Sequence, residues 1–163
     1  MKLDEKDLIY LAGFFDGEGN VCIAKHFRGE LDRQKNPSYK LQIVIGSTDR
    51  SVLLEFHEKT QLGNICIQRP SYKNAKALYR WQMGSRNAKE FLEALLPYLR
   101  IKRQQAELAI AFQNYQDSKY KVFGEECSTE DIQLKEAIKK TISELNQRGD
   151  RIDTLVETNK EVN

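Results

Sequence analysis

Residues 8–15 read LIYLAGFF, and all except Gly13 are apolar or aromatic. A helix that is apolar all round has to be covered all round, so whatever fold contains this segment must bury it on more than one side. Asp4 can cap the helix, with Leu3 and Leu8 placed as a hydrophobic staple across the cap. On a helical wheel Leu8, Leu11 and Phe15 share one side, and Ile9, Ala12, Gly13 and Asp16 share another. The small pair Ala12-Gly13 admits a second backbone at close range, from the chain's own core or from another copy of it. The segment then runs directly into Asp16-Gly17-Glu18-Gly19.

The next two segments alternate. Residues 20–28 place Val21, Ile23 and Phe27 on one face, and residues 39–47 place Tyr39, Leu41, Ile43 and Ile45 on one face. This is the period of a strand. The polar linker GELDRQKNPS between them predicts a long hairpin loop. Residues 50–62 read as a short amphipathic helix stopped at Gly63. The pattern then repeats, with strands at 64–69 and 76–83 around the polar turn PSYKN. Ser85 can cap a helix through Leu96, striped by Leu92, Leu95 and Leu96 and broken by Pro97. A further helix covers about 102–115. Another starts at Ser128 or Thr129 and runs to about Asn146, striped by Ile132, Ala137, Ile138, Ile142 and Leu145.

The order is α-ββ-α-ββ-α with two more helices. It predicts an α+β fold in which one four-stranded antiparallel sheet carries helices on one face and leaves the other open. With 163 residues the expectation is one domain, 1–147, with a core over about 7–117, a C-terminal helix over about 129–146 and a polar tail from 148.

Composition narrows the class. Hydrophobic residues make up 40% and charged residues 31%, and no apolar run approaches the ~20 residues that span a bilayer. The N-terminus MKLDEKD lacks the layout of a secretion signal. Three cysteines without C-x-x-C spacing argue against a disulfide framework or a zinc site and fit a reducing compartment. The expected location is intracellular. Net charge is only +2, but residues 21–104 hold 16 basic and 7 acidic side chains between two acidic ends. A basic body is either a solvated surface or a polyanion-binding face.

Strand parity assigns the open face. It takes Asn20, Cys22, Ala24, His26 and Arg28 from the first strand and Ser38, Lys40, Gln42 and Val44 from the second. The third gives Asn64, Cys66 and Gln68, and the fourth Arg80 and Gln82. Asn and Gln can pair bidentately with adenine, and Arg and Lys with guanine, in the major groove. Flanking Arg33, Lys35, Arg69, Lys73 and Lys76 suit phosphates. Singly, each position is better explained as a solvated strand surface; together they coincide with the basic body. In the fourth strand, parity turns Tyr79, Trp81 and Met83 inward, because burying Trp and Met is worth more than burying Arg and Gln.

Asp16 and Glu18 stand two apart between a helix and a strand. Carboxylates suit hard divalent cations such as Mg²⁺, which phosphodiester hydrolysis uses to generate hydroxide and steady the leaving oxygen. The same D-G-x-G also reads as a helix stop before a strand.

YLAGFFDGEG resembles the LAGLIDADG motif of a large homing endonuclease family, through Leu11, Ala12, Gly13, Phe14, Asp16, Gly17, Glu18 and Gly19. The αββαββα order agrees, and LPYLRIKRQQAELA (96–109) resembles the family's third helical region. The resemblance covers roughly residues 7–146. It implies that the motif helices of two copies pack at a two-fold axis, with Ile9, Ala12, Gly13 and Asp16 at the interface and Asp16 hydrogen-bonded to the partner helix end. It implies Glu18 as the metal ligand, in place of the commoner Asp, with the Gly17 carbonyl added. Asp49 matches a solvent-contacting position that is often Gln, and Lys102 matches a basic residue near the scissile phosphate.

With a single motif, the resemblance implies a homodimer that cuts a long near-palindromic double-stranded DNA and leaves short 3′ overhangs. Mg²⁺ is the implied cofactor, with Mn²⁺ substituting and Ca²⁺ permitting binding without cleavage. Arg148 and Arg151 would touch flanking phosphates. An intron RNA maturase on the same fold and a non-cleaving DNA-binding protein are the rival readings. An intron- or intein-associated mobile element would place the protein in the cytoplasm or nucleoid of a prokaryote, or in an organelle.

Overall fold

A computed structural model describes residues 1–27, 37–69, 76–119 and 128–147. Arg28, Arg33, Lys35, Lys73, Arg148 and Arg151 lie outside the described residues.

The first helix, α1 (Glu5–Glu18), starts where its cap predicts. Asp4 accepts the Asp7 N–H at 2.8 Å and the Asp7 side chain returns to the Asp4 N–H, a reciprocal capping box. Its stop is steric. A Cβ on Gly19 would lie 2.5 Å from the Phe15 carbonyl oxygen and closer still to the Phe15 ring. Only glycine lets the chain leave the helix at Glu18 and enter β1 (Gly19–His26) with no connecting residue.

Strands β2 (Ser38–Ser47), β3 (Asn64–Gln68) and β4 (Leu78–Gly84) complete one antiparallel sheet in the order β1-β2-β4-β3. The two hairpins therefore join through β2 and β4. Helices α2 (Arg50–Thr60), α3 (Ser85–Leu95), α4 (Arg103–Ser118) and α5 (Thr129–Asn146) follow the predicted order within a few residues. Ser85 does not cap α3: Gly84 stands at the cap position without a side-chain bond, and Ser85 lies one residue inside with φ 53. Ser128 caps α5, accepting from the Asp131 N–H.

One hydrophobic core lies between the sheet and the helices. Leu11, Ala12 and Phe15 of α1 meet Val21, Leu41, Ile43, Ile45 and Trp81 of the sheet and Phe91, Leu92 and Leu95 of α3, all fully or almost fully buried. Phe91 stands edge-on to both Phe15 and Trp81, each pair 5.4 Å apart. Parity in β4 is as predicted: Trp81 and Met83 face the core, and the Trp81 indole donates to the Leu62 carbonyl at 2.7 Å. Phe27 departs from its prediction. It lies one residue beyond β1 and is 73% exposed.

Polar contacts dock α5. Glu136 accepts from Lys25 and, at 2.7 Å, from the Tyr39 hydroxyl. Asp131 accepts from Lys135 and from the Tyr115 hydroxyl at 2.7 Å each, and Asn146 donates to the Val21 carbonyl. Among the described residues no helix is long and apolar enough to cross a membrane.

Candidate active site at the end of the first helix

Asp16 is the organising residue. Its carboxylate, almost buried, accepts the backbone N–H groups of Arg100 and Lys102 at 2.9 Å and of Ile101 at 3.2 Å. These donors lead into the N-terminus of α4, where amides have no intrahelical acceptor. Lys102, the cap residue of α4, closes the loop from the other side, its ammonium donating to the Asp16 carbonyl. The expectation that Asp16 bonds the helix end of a partner is therefore corrected: Asp16 bonds its own chain.

Tying the 100–102 loop to Asp16 places the Lys102 ammonium within range of the Glu18 charge. Burial pushes the Lys102 ammonium below its usual range, and the charges of Asp16 and Glu18 push it back up. Glu18 itself is exposed, at the last position of α1, with exposed Gly17 beside it. Of the three residues expected to be catalytic, Glu18 is an open carboxylate and Lys102 a half-buried ammonium that feels its charge.

Asp49 leaves the sheet at the same end, because Gly19 pairs with Ile45 in β2. Its carboxylate accepts the Ser51 N–H at 2.8 Å and the Ser51 hydroxyl at 2.6 Å, which hold it below its usual pKa and make it the cap of α2. Its local role is structural.

Among the described residues no group of three or more His, Cys, Asp or Glu side chains is placed to hold a cation. The donors present are the Glu18 carboxylate and the neighbouring Gly17 carbonyl. Hard oxygens of this kind fit Mg²⁺, which binds through one or two carboxylates together with substrate phosphates and water. A Mg²⁺ site built on these two groups would need further oxygens to be complete.

The exposed stripe of α1 differs from the expected one. Ile9 and Gly13 are open as predicted, with Tyr10 59% exposed beside them and Gly17 one turn further. A Cβ on Gly13 or on Gly17 would meet nothing within 4 Å. Ala12 and Asp16, expected on this surface, are buried inside the chain, because positions 8, 11, 12, 15 and 16 form the core-facing stripe of a helix. The small pair on the open side is therefore Gly13 and Gly17. Tyr10, not singled out by the sequence pattern, stacks on Phe56 with ring centres 5.7 Å apart and on Phe14 at 6.5 Å; its place one residue after Ile9 and three before Gly13 was the available signal.

The sheet face follows parity. The register aligns Asn20, Val44, Gln82 and Asn64 in one row across all four strands. Cys22 and Gln42 sit in the next row, Ala24 and Lys40 beyond, and His26 faces Ser38 at the far end. In the other direction Arg80 faces Cys66, and Gln68 faces Leu78, with Arg69 following β3. Lys40, Asn64, Cys66, Gln68, Arg69 and Gln82 are exposed, whereas Cys22, Ala24, Gln42, Val44 and Arg80 are half-buried. Burial pushes the Cys22 thiol up, which lowers its thiolate fraction.

No protein-family model matches the chain, and no curated protein matches it in sequence. Solved structures match it closely in shape. The homing endonuclease I-CvuI, in complex with a DNA target, superposes with a TM-score of 0.70 at 18% identity over 90% of this chain and 86% of that one. The archaeal intron-encoded homing endonuclease I-Vdi141I, complexed with DNA, gives 0.69 at 16% identity over 91% and 89%. The homing endonuclease I-TnaI gives 0.61 at 15% identity over the whole of both chains. The chain has the LAGLIDADG homing endonuclease fold. In this homing-endonuclease fold, Glu18 marks the junction of α1 and the sheet, and the helices pack on the face opposite the open amides and cations.

Proposed function

We propose that the chain is a site-specific, Mg²⁺-dependent endonuclease of double-stranded DNA that works as a homodimer. The observation that carries this reading is exposed Glu18, at the junction of α1 and the sheet, with the half-buried Lys102 ammonium held by Asp16 within range of its charge. Carboxylate and ammonium are the two groups that hydrolysis of a phosphodiester needs around a hard cation.

Homodimer formation is supported by the open face of α1. A glycine inside a helix costs about 1 kcal/mol relative to alanine, and among the described residues nothing crowds position 13 or 17. Glycines one turn apart, flanked by exposed Ile9 and Tyr10, suit a second helix backbone at short range. Two copies of one chain meet isologously, so each Gly13–Gly17 stripe would face its own counterpart and the two Glu18 residues would approach each other.

In that dimer Glu18 and the Gly17 carbonyl of each copy would hold Mg²⁺ jointly with DNA phosphates. When bound, Mg²⁺ supplies an acidified water and a counter-charge for the leaving oxygen. Lys102 holds its proton beside the reacting phosphate and offsets the charge that develops there. Asp16 is a positioning residue: its three backbone bonds fix where the Lys102 ammonium stands. The sheet lies along one half-site per copy, Arg80 and Lys40 with the amides meeting base edges and Arg69 and Lys76 meeting phosphates. Residues 1–147 act as one unit in this reading.

The test is enrichment of cut molecules from a randomised duplex library. Ends recovered with Mg²⁺ and absent with EDTA support the reading, above all if the recovered site is near-palindromic. A chain that sediments as a monomer at micromolar concentration, or a library left uncut under both conditions, contradicts it.

A further inference from the structure

The open face is not flat. A hollow of about 330 Å³ lies between β2, β4 and the start of α3. Gly84, the β4 residue paired with Gln42, is part of its wall. A side chain there would crowd it, since a Cβ would stand 3.0 Å from the Leu41 carbonyl oxygen and 2.9 Å from Cε of Lys40. Four carboxamides line the hollow: Gln42, Asn64, Gln82 and Asn87. Gln82 and Asn64 are direct cross-strand neighbours on this face. Asn87 comes from the first turn of α3, outside the strands, so strand parity does not find it.

These amides are also unengaged. Elsewhere Gln61, Gln105, Gln116 and Asn146 donate to backbone carbonyls of their own chain. Among the described residues, none of the four carboxamides around the hollow has a hydrogen-bond partner within the chain. An amide offers a donor and an acceptor at fixed spacing. That pair complements the N7 acceptor and N6 amino donor that adenine presents in the major groove.

We infer that this hollow reads adenine, with Gln42, Gln82, Asn64 and Asn87 as specificity-determining residues and Gly84 as the position that admits the base edge. The inference rests on the DNA-binding reading above and deepens it. Lys40, whose stem leans over Gly84, is the cation at the rim and the natural competitor, because lysine pairs with guanine.

Binding-site selection from duplexes randomised along the half-site, with Ca²⁺ in place of Mg²⁺, tests it. At least one position per half-site should be fixed as adenine. Replacing that base with 7-deazaadenine, which lacks the N7 acceptor, should weaken binding about 10-fold, the scale of a good base contact. The penalty should vanish in at least one of Gln42→Ala, Gln82→Ala, Asn64→Ala and Asn87→Ala, and in Gly84→Ala. These sites are at or near the surface, so circular dichroism should show the variants folded. A deaza penalty unchanged in all five variants overturns the inference and leaves DNA binding standing. So does a fixed guanine whose preference disappears in Lys40→Ala. Failure to enrich any duplex overturns the DNA reading itself, and this inference with it.

Discussion

The carboxylate of Asp16 accepts the backbone N–H of Lys102 at 2.9 Å, and the Lys102 ammonium donates back to the carbonyl of Asp16. This reciprocal pair joins the end of α1 to the start of α4, and it is what holds an ammonium within range of the Glu18 charge. Asp16→Ala should strand three backbone donors. The three bonds are part-buried and water can reach the freed donors, so urea denaturation should show a loss of about 1–3 kcal/mol in all. Because Lys102 is then free to move, cleavage should fall further than stability explains. Full activity in a folded Asp16→Ala would show that the loop needs no such anchor.

The glycines of the motif should separate by role. Gly19→Ala drives a methyl into Phe15 and should destabilise by about 1–3 kcal/mol, as overpacking does. Gly13→Leu and Gly17→Leu meet open space in the chain itself. They should leave the fold intact and weaken self-association, read by sedimentation equilibrium. If both associate like the wild type, α1 is not the interface.

Much of this arrangement is legible in the sequence. Asp4, with Leu3 and Leu8 spaced across it, announces the start of α1, and alternation in β2 and β4 decides which way Trp81 points, since one register buries every large apolar side chain and the other buries arginine and glutamine. The contacts made by Asp16 are not legible. They join residues 84 to 86 apart in sequence, and no local periodicity reports them. Ala12 is misplaced by the helical wheel for a different reason. Its position borders both faces of α1, and only packing against the sheet assigns it. The buried Asp131–Lys135 pair of α5 escapes the sequence as well, because charges at i and i+4 ordinarily mark a solvated face.

The dock of α5 predicts a pH dependence. Hydrogen bonds from Lys25 and then Tyr39 hold the Glu136 carboxyl below its usual 4.5. A carboxylate with a depressed folded pKa stabilises above its unfolded value and loses that contribution as pH falls through the folded one. The melting temperature should therefore drop more steeply below pH 4.5 in the wild type than in Glu136→Gln. Parallel curves would mean that the contact carries no net stability.

Trp81→Phe keeps the edge-on aromatic packing and removes the indole donor to Leu62. The Leu62 carbonyl is left unpaired, and the expected loss is about 1–3 kcal/mol by chemical denaturation. An unchanged midpoint would show that water replaces the bond.

Glu18 carries the account, and its conservative variant tests it most directly. A duplex containing the selected site is incubated with Mg²⁺ and either the wild-type chain or Glu18→Gln, with binding followed in parallel. The expected result is cleavage of both strands by the wild type and an intact, bound duplex with Glu18→Gln. Cleavage by Glu18→Gln at the wild-type rate would contradict the assignment of this carboxylate to the reaction.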